Sequence, residues 1–254
     1  MYHSFWRIIN LIAVIATIAV NALANIIPFN GKTTGEISAM FPVLITPAPY
    51  TFSIWGLIYV LLIVFAIYLA LPKQQDKVKL VGPLFLISCL FNMLWIVLWH
   101  YLYTQVWLSL LAMLGLLLSL ILIYKRVVSI PRPSAADELC VQLPFRIYLG
   151  WVSVATIVNV SVVLYAANWN GFGLSAELWT ILILAVGTLL AWIVGGVYRD
   201  YAYVLVFVWA YIGIAVKEGQ EPTVFYTALS LAALMFVYAV SIAFRPRSRT
   251  ISSP

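Results

Sequence analysis

Long apolar runs separated by short polar segments dominate the pattern of this chain. A helix needs roughly 20 apolar residues to cross a bilayer, at about 1.5 Å of rise per residue. Because lipid offers the backbone no hydrogen-bonding partner, each such run is expected to be a helix, and the alternation typical of a barrel strand is absent. The runs predict about eight spans, of which the seventh is short: Phe5–Ile27, Phe52–Leu71, Leu80–Tyr103, Val106–Tyr124, Phe145–Ala167, Leu178–Val197, Tyr201–Val216 and Val224–Phe244.

The composition supports a membrane protein. Of the 254 residues, 65% are hydrophobic and only 9% are charged. Soluble domains carry about a quarter charged residues, so this chain could not cover a water-facing surface. We therefore predict an all-α integral membrane protein, a bundle of about eight transmembrane helices with the lipid bilayer as its main partner.

The basic residues indicate an orientation. With the N-terminus placed in the cytoplasm, 12 of the 14 lysines and arginines fall in inner loops, and only Lys32 and Lys217 lie outside. This asymmetry follows the positive-inside rule and predicts a multi-pass protein of the cell membrane with both termini cytoplasmic. The basic residues are scattered over short loops, so nucleic acid is not an expected partner. The inner set is Arg7, Lys73, Lys77, Lys79, Lys125, Arg126, Arg132, Arg146, Arg199, Arg245, Arg247 and Arg249.

The first span has two interpretations. Its single arginine, its apolar stretch and the segment Ala22-Leu23-Ala24 fit the end of a signal peptide. The apolar stretch is longer than the roughly 7 to 15 residues usual in such a signal. Asn10 and Asn21 also suit a helix that packs against protein. Retention is the preferred interpretation, and cleavage would leave seven spans in the same orientation.

Residues that commonly carry catalysis are sparse inside the predicted spans. Ion-coupled transporters usually keep an ionisable residue within the bundle, so a coupled pump is disfavoured. His3 and His100 have no ligand-spaced partners, so no metal site is predicted, and His100 is expected at the outer interface. Cys89 in span three and Cys140 in a cytoplasmic loop are not expected to form a disulfide. All eight acidic residues fall in predicted loops or at span ends: Glu36, Asp76, Asp137, Glu138, Glu177, Asp200, Glu218 and Glu221.

Aromatic and amide side chains form continuous faces on three predicted helices. Residues three or four positions apart share a helix face. The rise per residue places Tyr59, Trp95 and Asn159 at one level, about 10 to 12 Å below the outer ends of their spans. We hypothesise a pocket for a flat hydrophobic ligand at this level, while helix packing by asparagine bonds is the alternative. The faces are Phe52, Trp55 and Tyr59; Ser88, Asn92, Trp95 and Trp99; and Tyr148, Val152, Ala155 and Asn159 with Thr156 beside them.

Three short segments on these faces carry a family resemblance. They are "YLGWVSVATIVN" at 148–159, "FNMLW" at 91–95 and "WGLIY" at 55–59 after a proline-rich loop. They resemble the fifth, third and second helices of the translocator protein / tryptophan-rich sensory protein family (TspO/MBR). The resemblance covers 1–168 as a five-helix core and leaves 169–254 as three additional helices with a basic cytoplasmic tail. The segment Pro47-Ala48-Pro49-Tyr50 departs from the family's usual Pro-Pro-x-Trp, so the entrance is expected to differ in shape.

The resemblance implies a ligand pocket capped by the first loop. Family members bind porphyrins and sterol-like or drug-like molecules, and several are homodimers. No cofactor is required, and a porphyrin or another hydrophobic small molecule is the ligand that the resemblance implies. The aromatic cluster at the entrance of the second span adds Tyr50 to the candidate site, and the face of the third span adds Trp99. The residues carried over from the family are Trp55, Tyr59, Asn92, Trp95, Trp151, Ala155, Thr156 and Asn159.

The first loop, Pro28 to Pro49, is the longest predicted loop on the outer face, with 22 residues. Loops of this length are usually functional or disordered. Its flexible first half and its proline-stiffened apolar second half predict a lid over the aromatic faces. The alternative is a solvated connector.

Two classes of function follow from these features. The first is a binding, transfer or sensing protein for a hydrophobic ligand, tetrapyrrole or sterol-like. The second is a membrane enzyme that degrades or isomerises such a ligand. The predicted pocket contains no catalytic carboxylate, metal set or thiol, which favours the first class. A passive facilitator, with the ligand passing between spans six to eight, is a third interpretation.

Overall fold

The computed structural model of the chain describes residues 2–71 and 74–244. Within these residues the chain forms eight long helices and no strand. The predicted all-α membrane bundle is thereby confirmed, and each predicted span corresponds to one helix. Lys73, Arg245, Arg247 and Arg249, which contribute to the predicted orientation, lie outside the described residues, so the orientation stays a prediction. The helices are α1 (Tyr2–Ile26), α2 (Ile54–Ala70), α3 (Gln75–Tyr101), α4 (Trp107–Val128), α5 (Leu143–Ala166), α6 (Ala176–Tyr198), α7 (Tyr201–Lys217) and α8 (Pro222–Phe244).

Within the described residues, seven helical segments are long and apolar enough to cross a membrane, and for α2 this segment includes the 3₁₀ turn before it (Pro49–Ala70, 22 residues). The helix α7 has 17 residues and is shorter than these segments. Its length is about 26 Å at about 1.5 Å per residue, slightly less than a hydrocarbon core of roughly 30 Å. It nevertheless runs from one end of the bundle to the other. Asp200, at its start, accepts a hydrogen bond from Tyr124 near the end of α4. Lys217, its last residue, donates to the Val43 carbonyl in the first loop.

The two most buried helices, α5 and α7, pack against each other in the middle of the bundle. On one side, α5 contacts α2 and α4, and α1 packs on α2 and α3. On the other side, α6 and α8 cover α7. The predicted boundary after residue 168 falls between α5 and α6, so the α5–α7 interface joins the two predicted portions. The division into two portions stays a prediction.

Two helical segments begin earlier than the apolar runs predicted. The third helix starts at Gln75 rather than Leu80. A helical segment precedes α5 from Ala135, including a π-helical turn at Glu138–Gln142, where the sequence predicted a loop containing Asp137, Glu138 and Cys140. Polar residues stabilise this start: the Ser134 hydroxyl and the Asp137 carboxylate cap each other's backbone amides. Hydropathy misses such turns because their helix-forming contacts are polar.

A buried polar cluster joins α4, α5 and α7 at the end of the bundle opposite the first loop. Asp200 is 1% exposed, although the sequence predicted only that it lies at a span end. Its carboxylate accepts hydrogen bonds from the Tyr124 hydroxyl (2.8 Å) and the Tyr203 amide (3.0 Å), and lies 3.6 Å from the Arg146 guanidinium. Burial raises the pKa of the Asp200 carboxyl, and the positive charge of Arg146 opposes that effect. The cluster therefore ties the seventh helix to the first five.

Candidate functional site

A cavity lies beneath the first loop, at the level where the aromatic faces of α2, α3 and α5 meet. Its volume is about 40 Å³. None of its eleven lining residues carries a charge, and four of them are tryptophans. An uncharged, aromatic lining of this kind favours an apolar ligand over an ion or a sugar. The lining consists of Thr34, Ser38, Pro47, Phe52, Trp55, Trp95, Trp99, Trp151, Val154, Ala155 and Val158.

The tryptophan rings form two walls. On α3, Trp95 and Trp99 are four residues apart and stack with ring centroids 5.7 Å apart and an interplanar angle of 22°. On the other side, Trp151 of α5 meets the edges of Trp55 (6.4 Å) and Phe52 (5.8 Å) at nearly right angles. Offset stacks and edge-to-face pairs are the favourable geometries for aromatic rings, so the packing within each wall is energetically favourable.

Two indole donors in these walls have no hydrogen-bond partner among the residues that the structure describes. The Nε1 atoms of Trp95 and Trp151 are buried and unpaired. By contrast, Trp99 Nε1 donates to the Thr34 carbonyl of the first loop at 3.3 Å. A buried unpaired donor costs about 1 to 3 kcal/mol, so most are satisfied in folded proteins. Two such donors on residues that line one cavity leave it with unused capacity for hydrogen-bond acceptors.

The first loop covers this cavity with a short helix, Thr34–Ala39, which we call the loop helix. A capping box starts it, because Thr33 and Glu36 bond each other's backbone amides, and the same bonds lower the pKa of the exposed Glu36 carboxyl. Thr34 and Ser38, one turn apart, face the cavity. Phe41, just after the loop helix, packs against Trp99 with ring centroids 6.1 Å apart. The loop is thus a packed cover over the aromatic residues and not a solvated connector.

His100 fastens the loop helix to the end of α3. It lies in the last turn of α3, and its side chain is fully buried. Its location at the outer interface stays a prediction. Its Nδ1 is 2.8 Å from the Ile96 carbonyl, which can only accept, so Nδ1 is the donor. In the neutral ring, Nε2 then accepts from the Thr34 hydroxyl at 3.3 Å. Asn30 adds a hydrogen bond to the His100 carbonyl at 3.2 Å.

A comparison with known protein families shows which family the chain belongs to. The sequence profile of the TSPO-like protein family matches residues 7–241. The chain belongs to this family. The expected TspO relationship is therefore confirmed, and the match extends through α6, α7 and α8 as well as the first five helices. No curated protein and no solved structure matches the chain.

Within this TSPO-like chain, five of the ten residues predicted for the site line the cavity. They come from three helices that are distant in sequence, α2, α3 and α5; of the face predicted on α5, Ala155 alone lines the cavity. The other five do not line it: Tyr50, Tyr59, Asn92, Thr156 and Asn159. The lining residues are Trp55, Trp95, Trp99, Trp151 and Ala155.

The five remaining residues have other partners in the TSPO-like bundle. Asn92 accepts from Asn21 of α1 (2.7 Å) and donates to the Tyr148 hydroxyl of α5 (2.9 Å). The Tyr59 ring stacks on the Trp55 ring, with centroids 5.6 Å apart and an interplanar angle of 20°. Asn92 and Tyr148 thus connect three helices next to the cavity.

Thr156, Asn159 and Tyr50 also bond or pack elsewhere. The Thr156 hydroxyl donates to the Val152 carbonyl of its own helix at 2.7 Å. Asn159 donates to the Ser109 hydroxyl at 3.4 Å. Tyr50 packs its ring against Trp209 of α7, with centroids 5.5 Å apart. Two of these residues therefore connect to neighbouring helices, and Thr156 bonds to its own helix.

Six lining residues were not among the predicted site residues. Phe52 shares the predicted face of Trp55, so its position was available from helix periodicity. Val154 and Val158 are four residues apart on α5, but two valines in an apolar helix carry no distinguishing signal. Thr34, Ser38 and Pro47 belong to the first loop, where no periodicity indicates which side chains turn inward. The spacing of Thr34 and Ser38 becomes informative only once the loop helix is known.

Proposed function

We propose that this TSPO-like protein binds a flat hydrophobic molecule, a tetrapyrrole or a sterol-like ligand, in the cavity beneath the first loop, for transfer or sensing. Membership of the TSPO-like family supports a ligand-binding or sensing role in a membrane in general. The observation that carries the specific proposal is the uncharged lining with four tryptophans. Such rings stack on the face of a planar ligand, and their burial supplies affinity without a charged residue.

The unpaired indole donors narrow the chemistry of the ligand. Trp95 Nε1 and Trp151 Nε1 are both buried without an acceptor. A ligand with carbonyl or carboxylate oxygens at its edge would satisfy them, at about 0.5 to 1.5 kcal/mol for a bond to a carbonyl and about 1.5 to 3 kcal/mol for one to a carboxylate. A pure hydrocarbon would not. We therefore favour a ligand with an apolar face and acceptor atoms at its rim, which describes tetrapyrroles with side-chain carboxylates or oxo groups.

The cavity volume implies that the lid moves when such a ligand binds. Pockets for drug-sized ligands measure roughly 300 to 1,000 Å³. The cavity measures about 40 Å³, room for a few water molecules. We propose that the loop helix lifts from α3 to admit the ligand, because its two hydrogen bonds to that helix are long, 3.3 Å each.

Fluorescence quenching tests the proposal. Titration of the purified protein with a porphyrin should quench tryptophan emission saturably, with a micromolar dissociation constant, which corresponds to a binding free energy of about 8 kcal/mol. Trp95→Phe should retain the fold and lose part of the quench. Trp192→Phe is the matched control, because Trp192 is 43% exposed on α6 and packs against Tyr238, away from the cavity. Absence of saturable quenching by any tetrapyrrole or sterol-like probe would refute the proposed ligand class.

The same titration separates binding from catalysis. The second candidate, a membrane enzyme that promotes porphyrin breakdown, predicts loss of porphyrin absorbance in the dark at a rate proportional to protein. A binding protein should return the porphyrin unchanged after long incubation. The uncharged lining favours a binding protein over an enzyme, because it provides no general acid or base. A passive facilitator would instead equilibrate the porphyrin across the membrane of a sealed vesicle.

A further inference from the structure

The second half of the first loop is attached to α7, a helix outside the five-helix core α1–α5. The Ala48 amide donates to the Gly213 carbonyl at 3.0 Å, a backbone bond between the loop and the helix. The Trp209 indole donates to the Thr51 carbonyl at 2.9 Å, and Lys217 donates to the Val43 carbonyl at 3.3 Å. These three contacts run along one face of α7, at intervals of four residues. They hold the loop from residue 43 to residue 51.

Gly213 permits this close approach. A Cβ atom built on Gly213 would overlap the Thr51 hydroxyl and lie 3.0 Å from Thr51 Cβ. Real Cβ atoms essentially never come so close, so any larger residue would push the loop off the helix. Thr51 is fully buried in this contact, and its hydroxyl has no hydrogen-bond partner. The packing at this point is therefore tight and depends on the absence of a side chain at position 213.

The attached segment carries part of the cavity wall. Pro47 directly precedes Ala48, and Phe52 directly follows Thr51. Both line the cavity, and Phe52 meets the edge of the Trp151 ring. No residue of α7 lines this cavity itself. Because Ala48 and Thr51 are bonded to α7, the position of α7 determines where Pro47 and Phe52 lie in the cavity wall.

We propose that Trp209 and Gly213 of α7 are positioning residues of the ligand site, which set the place of Pro47 and Phe52 opposite the α3 tryptophans. The inference rests on the proposed function and extends the functional unit beyond the first five helices. The bonds of Trp209 and Gly213 to the loop measure 2.9 and 3.0 Å, whereas the loop helix is held to α3 by bonds of 3.3 Å. This difference makes α7 the fixed side of the cover. The ligand site is then incomplete without the seventh helix.

A size swap between positions 51 and 213 tests this inference. Gly213→Ala should displace the 47–52 segment, accelerate hydrogen exchange at the Ala48 amide, and weaken porphyrin affinity roughly tenfold. The double variant Thr51→Gly/Gly213→Ala removes the obstructing side chain and should restore both the exchange rate and most of the affinity. Gly56→Ala is the matched control, because a methyl group there meets no atom within 4 Å.

A second variant keeps the test informative if Gly213→Ala does not fold. Trp209→Phe removes the donor to the Thr51 carbonyl and keeps a ring beside Tyr50, so the porphyrin dissociation constant should rise roughly threefold to tenfold. Equal melting temperatures would show that the loss is not global. Unchanged exchange at Ala48 in Gly213→Ala, or unchanged affinity in both folded single variants, would overturn the inference. Absence of porphyrin binding by the unmodified protein would instead refute the proposed function.

Discussion

Asn92 connects three helices through a single amide group. Its oxygen accepts from Asn21 of α1, and its nitrogen donates to the Tyr148 hydroxyl of α5. The side chain is completely buried, and both of its polar atoms are used. In lipid, a polar side chain that loses its partner cannot turn to water, so this short chain of bonds favours one arrangement of the helices.

Replacement of Asn92 should therefore affect stability more than binding. Asn92→Ala leaves Asn21 and Tyr148 without their shared partner, and the free energy of unfolding should fall by roughly 1 to 2 kcal/mol. Porphyrin affinity should stay within about twofold, because Asn92 does not line the cavity. Thermal unfolding in detergent and fluorescence titration measure the two effects.

Asn25→Ala is the control for this variant. The Asn25 side-chain amide donates to the Asn21 carbonyl in its own helix, so its loss should shift the melting temperature little. A large affinity loss in folded Asn92→Ala would contradict a purely structural role and would indicate that Asn92 belongs to the ligand site.

At the scale of elements, the position of α7 in the bundle depends on polar contacts at both of its ends. At the lid end, the contacts are with the first loop. At the opposite end, Asp200 accepts from Tyr124 and Tyr203 and pairs with Arg146. Arg146 also donates to Gln142, which in turn bonds the Val127 carbonyl at the end of α4. A short helix is thus held in register with its neighbours by polar groups at its two ends.

Removal of the Asp200 charge should destabilise the packing of α7 against α4 and α5. Asp200→Asn keeps the shape of the side chain but leaves the largely buried Arg146 without its counter-charge. The expected loss of unfolding free energy is about 3 kcal/mol, typical of a buried pair that loses one partner. Asp76→Asn is the control, because Asp76 is exposed in the first turn of α3. Equal melting curves for the Asp200 and Asp76 variants would show that the cluster contributes no net stability.

At the scale of the whole molecule, the orientation in the membrane is open to a direct test. In a background where Cys140 is replaced by serine, cysteines at Met40 and Leu174 should react with an impermeant thiol reagent on intact cells. Both residues are exposed at the lid end, in the first loop and between α5 and α6. Cysteines at Asp76 and Ala136, exposed at the opposite end, should react only after the cells are opened.

These positions are chosen from the geometry of the loops. Gly171, between α5 and α6, has a φ of +61°, and a Cβ atom there would lie 2.8 Å from the Trp179 indole nitrogen. A cysteine at that position would be strained, whereas Leu174 has an extended backbone. Labelling of the Asp76 position on intact cells would refute the orientation derived from the lysine and arginine distribution.

The sequence by itself determined the class of the protein, its helices and the aromatic faces. Apolar runs of spanning length and a spacing of three or four residues are local properties, and lipid allows few structures other than helices. For this reason Trp55, Trp95 and Trp99 were correctly placed on converging faces. The length and proline content of the first loop likewise predicted that it covers them.

Only the tertiary structure decided which faces meet and what each polar residue bonds. Periodicity places Asn92 on the face of Trp95, but its partners are 71 and 56 residues away in sequence. The same limit hid the burial of Asp200 and the attachment of the first loop to α7, 158 residues beyond Thr51. A pattern along one helix fixes the direction of a side chain and not the element opposite it. That choice follows from packing, where a missing side chain at Gly213 admits the loop that completes the cavity.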